Sequence, residues 1–174
     1  EGTRSEEVRL QEVRVESAQT ALDEAEKSFI NAARDAFTKS DDIVHNTIDQ
    51  FFADVDTIRP EITVPVSDPQ LKTDLEADRF VLENMLDAWN ELVDSLNANS
   101  NFDAYANTTN ENLLFIGAFS EELARAVNDI RPTLTLSQAT IDAWKASVSG
   151  IRTSVNASIS VFSGAEEDRK STRL

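Results

Sequence analysis

Six residues spaced seven apart constrain this chain more than anything else in it. Val8, Val15, Leu22, Phe29, Ala36 and Ile43 recur at the heptad interval, and Ala18, Ala25 and Ala32 follow three of them by three residues. A pattern held this long keeps one helix stripe apolar and points to a supercoiled helix pair. A second seam lies near the other end. Ile141, Trp144, Val148, Ile151, Val155, Phe162 and Ala165 alternate three and four apart, with Ser158 in the one polar slot. Two seams of like style at the two ends of one chain can pair antiparallel. The expected fold class is therefore all-α: a long antiparallel coiled-coil hairpin that widens into an up-down-up-down four-helix bundle.

The widening is read from the first helix itself. Its stripe is narrow from Ser5 to Lys27, with Arg, Glu and Gln on the other faces. From Ser28 it broadens through Phe29, Ile30, Phe37, Ile43, Val44, Ile48, Phe51 and Phe52. A narrow stripe serves one partner and a wide one serves a bundle. Thr3, with Glu6 three residues on, is placed to cap the helix, which is expected to end between Ala53 and Asp56. Its length would be on the order of 75 Å. Arg59-Pro60 and Pro65 stop it. Ile62-Thr63-Val64 has strand-like composition but no evident partner, so an extended linker is expected there.

Ser67-Asp68-Pro69 is a helix start, a cap followed by proline. The second helix carries Leu71, Leu75, Phe80, Leu82, Met85, Leu86, Trp89, Leu92, Val93 and Leu96 at mostly helical spacing. Asn97 to Asn101 is a turn, and a third helix runs from about Phe102 to Asp129, either weakened at Asn107-Thr108-Thr109-Asn110 or beginning after that stretch. Arg131-Pro132 breaks the chain, and Thr135 with Gln138 is the expected start of the last helix. Three regions follow: 1–40 as the ascending stalk helix, 41–134 as an inserted helical bundle region, and 135–174 as the descending stalk helix.

Composition narrows the function. Of 174 residues, 32 are acidic and 16 basic, for a formal net charge of −16. Such a surface repels nucleic-acid phosphates and anionic lipid headgroups. No cysteine is present, so disulfides and thiolate metal sites are excluded. No apolar run reaches the ~20 residues that span a bilayer. The chain reads as a segment of a longer protein, with any targeting or anchoring element outside it.

Catalytic candidates are few. His45 is the one histidine, within helical reach of Asp41, Asp42 and Asp49. A lone histidine on a helix surface is usually an ordinary polar residue. The acidic runs Asp41-Asp42, Asp54 to Asp56 and Glu166-Glu167-Asp168 lack the calcium-loop spacing and read as solvated faces. Trp89, Trp144, Phe51, Phe52, Phe80, Phe115 and Phe119 could line a ligand cavity, but such residues mostly fill cores. No catalytic, metal or cofactor-binding residue is assigned. Asn107-Thr108-Thr109 and Asn156-Ala157-Ser158 match the glycosylation sequon by chance.

Two stretches carry a family resemblance. Gly2-Thr3-Arg4-Ser5-Glu6-Glu7-Val8, followed by Gln11-Glu12-Val13 and Ser17-Ala18-Gln19-Thr20-Ala21-Leu22, resembles the entry to the ascending hairpin helix of HlyD-type membrane-fusion (periplasmic adaptor) proteins. Ser5 stands where many of them have proline. Leu136-Ser137-Gln138-Ala139-Thr140-Ile141-Asp142 through Ala165-Glu166-Glu167 looks like the descending helix. Asp35 to Asp42 and Val66 to Lys72 resemble adaptors whose hairpin carries a helical insertion. About ninety residues, Asp41 to Leu134, replace the short tip, and the Arg/Leu/Ser pattern that docks outer-membrane channels is missing.

The resemblance implies a non-catalytic structural and assembly arm of an efflux or secretion system. Its implied place is extracytoplasmic, in the periplasm or cell envelope. Implied partners are an inner-membrane transporter and an outer envelope component, in a homo-oligomer of the full-length protein. Val8, Val15, Leu22 and Phe29 would pack in the stalk against Ile141, Trp144, Val148, Ile151, Val155 and Phe162. Arg9, Arg14, Glu16 and Glu24 are candidate lateral assembly contacts. An extracytoplasmic sensor domain of a chemoreceptor or sensor kinase, also a four-helix bundle, is the alternative. The polar start from Glu1 to Glu7 argues for the arm, because a sensor's first helix normally emerges apolar from a membrane.

Overall fold

The computed structural model describes residues 2–173, with side chains from Arg4 onward. It is all-α. Four long helices dominate: α1 (Gly2–Asp42), α2 (Pro69–Ser95), α3 (Phe102–Asn128) and α4 (Gln138–Thr172). No described helix is long and apolar enough to cross a membrane.

Aromatic contacts fix the helix directions. Phe29 meets Phe162 at 5.4 Å between ring centroids and Phe51 meets Trp144 at 6.4 Å, so α4 descends as α1 rises. Phe29 also meets Phe102, and Phe52 meets Phe119, so α3 runs with α1. Phe37 packs on Trp89 and Asp49 holds Arg79, so α2 runs against α1. Phe29–Phe102, Phe37–Trp89 and Phe51–Trp144 meet edge-on, a geometry that adds to the burial of their apolar area.

The buried stripes follow the heptad registers. On α1, Ala25, Phe29, Ala32 and Ala36 are buried, with Ala33 and Ser40 beside them, and Ile43 and Val44 continue the stripe just past its end. On α4, Ile141, Val148, Ile151, Val155, Ser158 and Phe162 are buried. Phe29 fills the open end of the core, against Phe102, Tyr105 and Phe162.

Local chemistry sets the ends. The Asp68 carboxylate accepts from the Gln70 amide at 2.9 Å, and Pro69 fills the first turn of α2. Asn101 caps α3, accepting from the Ala104 amide at 3.2 Å. The weak stretch Asn107 to Asn110 stays helical within α3, where buried Ala106 and Thr109 tie it to the core. Ser137 caps α4, accepting from the Thr140 amide at 3.1 Å. The expected cap, Thr135, instead lies in a turn organised by the Thr133 hydroxyl, which accepts from the Thr135 and Leu136 amides. At the other end α1 already includes Gly2, so Thr3 lies within the helix, and its side chain is outside the described residues.

The end of the first helix departs from a regular α-helix. Ile43 to Ile48 winds as a π-helix and Asp49 to Phe51 as a 3₁₀ turn. Widening the helix by a residue per turn lets Ile43, Val44 and Ile48 all reach the core. The expected unpaired linker at Ile62 is corrected too. β1 (Phe52–Ala53) pairs antiparallel with β2 (Glu61–Ile62), with Phe52 opposite Ile62. The chain leaving the 3₁₀ turn supplies the partner, and Asp54 makes the bend at φ 54°, a left-handed conformation that aspartate tolerates. Glu76 of α2 accepts from the Ile62 amide at 3.1 Å and pins this hairpin to the body.

α1 is buried in its second half only. Every described side chain from Arg4 to Ala21 is exposed, and Leu22 is the first to be half-buried. Phe29→Ala should therefore destabilise the chain by about 3–4 kcal/mol, as for other buried phenylalanines. Val15→Ala should change it by less than about 0.5 kcal/mol, the range for exposed positions. Urea unfolding of the two variants checks this contrast.

Candidate functional site

Two features stand apart from the ordinary core: the uncovered half of α1 and a charged cluster at the π-helix. The sequence-derived seam residues divide between body and projection. Phe29, Ile141, Val148, Ile151, Val155 and Phe162 are buried, and Trp144 and Leu22 are half-buried. Val8 and Val15 remain 53% and 68% exposed. α4 runs only about one turn past Arg169, whose guanidinium lies 5.3 Å from the Phe29 ring, so it ends near Leu22. Beyond that point no described residue covers α1. Arg9, Arg14, Glu16 and Glu24 are exposed on this projection or at its base, and none forms an ion pair among the described residues.

The base of the projection is closed by Arg169. It is 1% exposed, stacks over Phe29 and Phe102 and donates to the Asp103 carboxylate. That hydrogen bond and the charge behind it hold Asp103 below the usual carboxylate range. A guanidinium suits this place because its flat faces take aromatic rings while its edge reaches an acid.

The charged cluster lies where the π-helix meets α2. Arg79 is 1% exposed. It donates through Nε to Asp49 at 2.7 Å and through Nη1 to Glu83 at 2.8 Å. His45 stands between two acids, Nδ1 at 3.1 Å from Asp41 and Nε2 at 3.4 Å from Glu83. A neutral imidazole has one N–H and can serve only one of them, so this geometry favours the imidazolium. Asp42 bonds Asn46 instead. Burial pulls His45 toward its neutral form, but the Glu83 hydrogen bond and the charges of Asp41, Glu83 and Asp49 outweigh it. The net effect raises its pKa above the ordinary 6.5. Burial likewise opposes ionisation of Glu83, yet Arg79 and His45 hold it below 4.5.

Chemically the cluster is a clamp. Its carboxylates are occupied by Arg79 and His45, and among the described residues no group of three or more His, Cys, Asp or Glu side chains could hold a metal ion. Trp89, Phe51, Phe52 and Phe119 are buried in the core, while Phe80 lies exposed. A depression of about 280 Å³ beside Tyr105, lined by Leu92, Leu96 and Asn101, sits just below the usual size of ligand pockets. Burial pushes the Tyr105 phenol up to about 12, so it stays neutral. Sequence reasoning missed both buried arginines. Their signal was positional: Arg79 falls in the apolar register Leu75, Leu82, Leu86, and Arg169 continues Val155, Ser158, Phe162.

No family model matches the sequence, and no curated protein and no solved structure matches it either.

Two outcomes follow from the clamp. Arg79→Ala should cost about 3 kcal/mol, because it strands two partly buried carboxylates; denaturant unfolding measures it. The pH dependence has a definite sign. The His45 contribution is complete below pH 6.5 and is lost as pH rises through its raised folded pKa. The Glu83 contribution is complete above pH 4.5 and is lost as pH falls through its lowered one. The stability difference between the parent chain and His45→Gln should therefore peak between those values and shrink by pH 8. At this half-exposed site it should amount to about 0.5 kcal/mol.

Proposed function

We propose that this chain is a non-catalytic structural arm, the helical segment of an HlyD-type membrane-fusion (periplasmic adaptor) protein serving an efflux or secretion transporter. One observation carries the reading. Val8 and Val15 continue the heptad register of buried Ala25, Phe29 and Ala36, yet lie exposed beyond the end of α4. Apolar residues kept in register on an uncovered helix belong to one strand of a coiled coil. The finer architecture proposed is accordingly an antiparallel coiled-coil hairpin that widens into the four-helix body. In the intact protein the second strand would be chain that follows α4. The body would then act as a rigid, acidic spacer at an extracytoplasmic site, holding transporter and envelope partners at a set distance.

The direct test places a photoreactive amino acid at Val15 in the intact gene product in its own cells. The arm reading expects cross-links within the same chain, to a segment that follows α4, and co-purification with a membrane transporter. Membrane spans directly flanking both ends, with cross-links between the two emerging helices, would instead make the chain a sensor domain.

A further inference from the structure

The uncovered half of α1 has a second face, opposite the Val8 and Val15 seam and edged by Arg9, Arg14 and Glu16. At 100° per residue, Leu10 and Val13 lie about 180° around the helix from Val8 and Val15. Both are more than half exposed, at 52% and 58%. Glu6 and Ser17 share this face with them, and in a Leu10-to-Val13 antiparallel register each stands opposite the other; the flanks are charged in a pattern. Arg9 and Glu16 line one edge of this face, Glu7 and Arg14 the other. None of the four is engaged in an ion pair among the described residues.

We infer that this face docks a second copy of the chain, as an antiparallel helix pair over Arg4 to Ala21. With Leu10 set opposite Val13 of the partner subunit, the flanking charges meet in opposite-sign pairs. Arg9 faces Glu16 of the partner subunit, Glu7 faces Arg14 of the partner subunit, and the two-fold axis repeats both. A parallel pair would instead place Arg9 against Arg14 of the partner subunit on both edges. Flanking charges of this kind set orientation in helix pairs, and here they select the antiparallel one.

Two further facts agree. The segment holds three arginines and four glutamates, a net charge of −1, in a chain whose total is −16. It is therefore a stretch where two copies approach with little repulsion. It is also 18 residues long, about 27 Å. In this register Gly2 of one copy lies opposite Ala21 of the other, so the two bodies sit at opposite ends without overlap. Val8 and Val15 stay outside the contact. The inference thus stands on the isolated chain and does not depend on the arm reading.

The test is sedimentation equilibrium of the 174-residue chain over roughly 10–500 µM at low salt, with circular dichroism to verify helicity. The parent chain should dimerise. Arg9→Glu with Arg14→Glu should weaken association at least about tenfold, one such factor being 1.4 kcal/mol. Glu7→Arg with Glu16→Arg should do the same. An equimolar mixture of the two variants should restore the dimer as a heterodimer. Val8→Ser with Val15→Ser should leave association unchanged. A parent chain that stays monomeric throughout overturns the inference. So does a charge-reversed variant that still dimerises, or loss of the dimer on changing Val8 and Val15.

Discussion

One helix of this chain is longer than its partners can cover, and the other features follow from that mismatch. α1 has 41 residues and continues through a π-helix and a 3₁₀ turn, while α2 and α3 have 27 each and α4 has 35. The body must therefore end partway along α1. It ends at Phe29, where rings from α3 and α4 converge and Arg169 closes the layer. A buried cation at the last core layer gives the apolar interior a defined boundary, because its guanidinium stacks inward and bonds outward to Asp103. One turn further, before Leu22, α1 is a helix without tertiary support, held by its own backbone.

At the opposite end the same helix must stop and turn back. The π-helix and the Arg79 clamp do this together. Widening the winding seats Ile43, Val44 and Ile48 in the core, and it presents His45 and Asp49 to α2 on the other side. Arg79 ties the turn to α2 from within the protein, where an unpaired charge would be costly. The result is a body anchored at one end by an internal ion cluster and at the other by a stacked arginine.

Much of this was legible in the sequence because helix periodicity is a local property. The heptad interval from Phe29 to Ile43 and the three–four alternation from Ile141 to Phe162 name the buried stripes of the body directly. Asp68-Pro69 announces the start of α2 in the same way. What escaped was set by distant partners. The pairing of Phe52 with Ile62 needs a chain reversal that no short motif specifies, and its two rungs are too few for strand periodicity. The π-helix leaves no distinct spacing in six residues. Ser137 outcompetes Thr135 as a cap because the Thr133 turn occupies the latter. The charged pair Asp49 and Arg79 is thirty residues apart, and only the position of Arg79 within an apolar register hinted at it. Sequence also could not say where the body would end along α1, since Val15 and Phe29 carry the same heptad signature.

The central claim is that α1 is two things in one helix, a core element after Leu22 and an uncovered helical projection before it. Hydrogen exchange resolved along α1, at a concentration where the chain is monomeric, tests this most directly. Amides from about Ala25 to Asp42 should exchange only through opening of the body, while those from Arg4 to Ala21 should exchange orders of magnitude faster through local fraying. Uniform slow exchange from Arg4 to Asp42 in the monomer would contradict the account, because it would mean that something within the chain covers the half described here as bare.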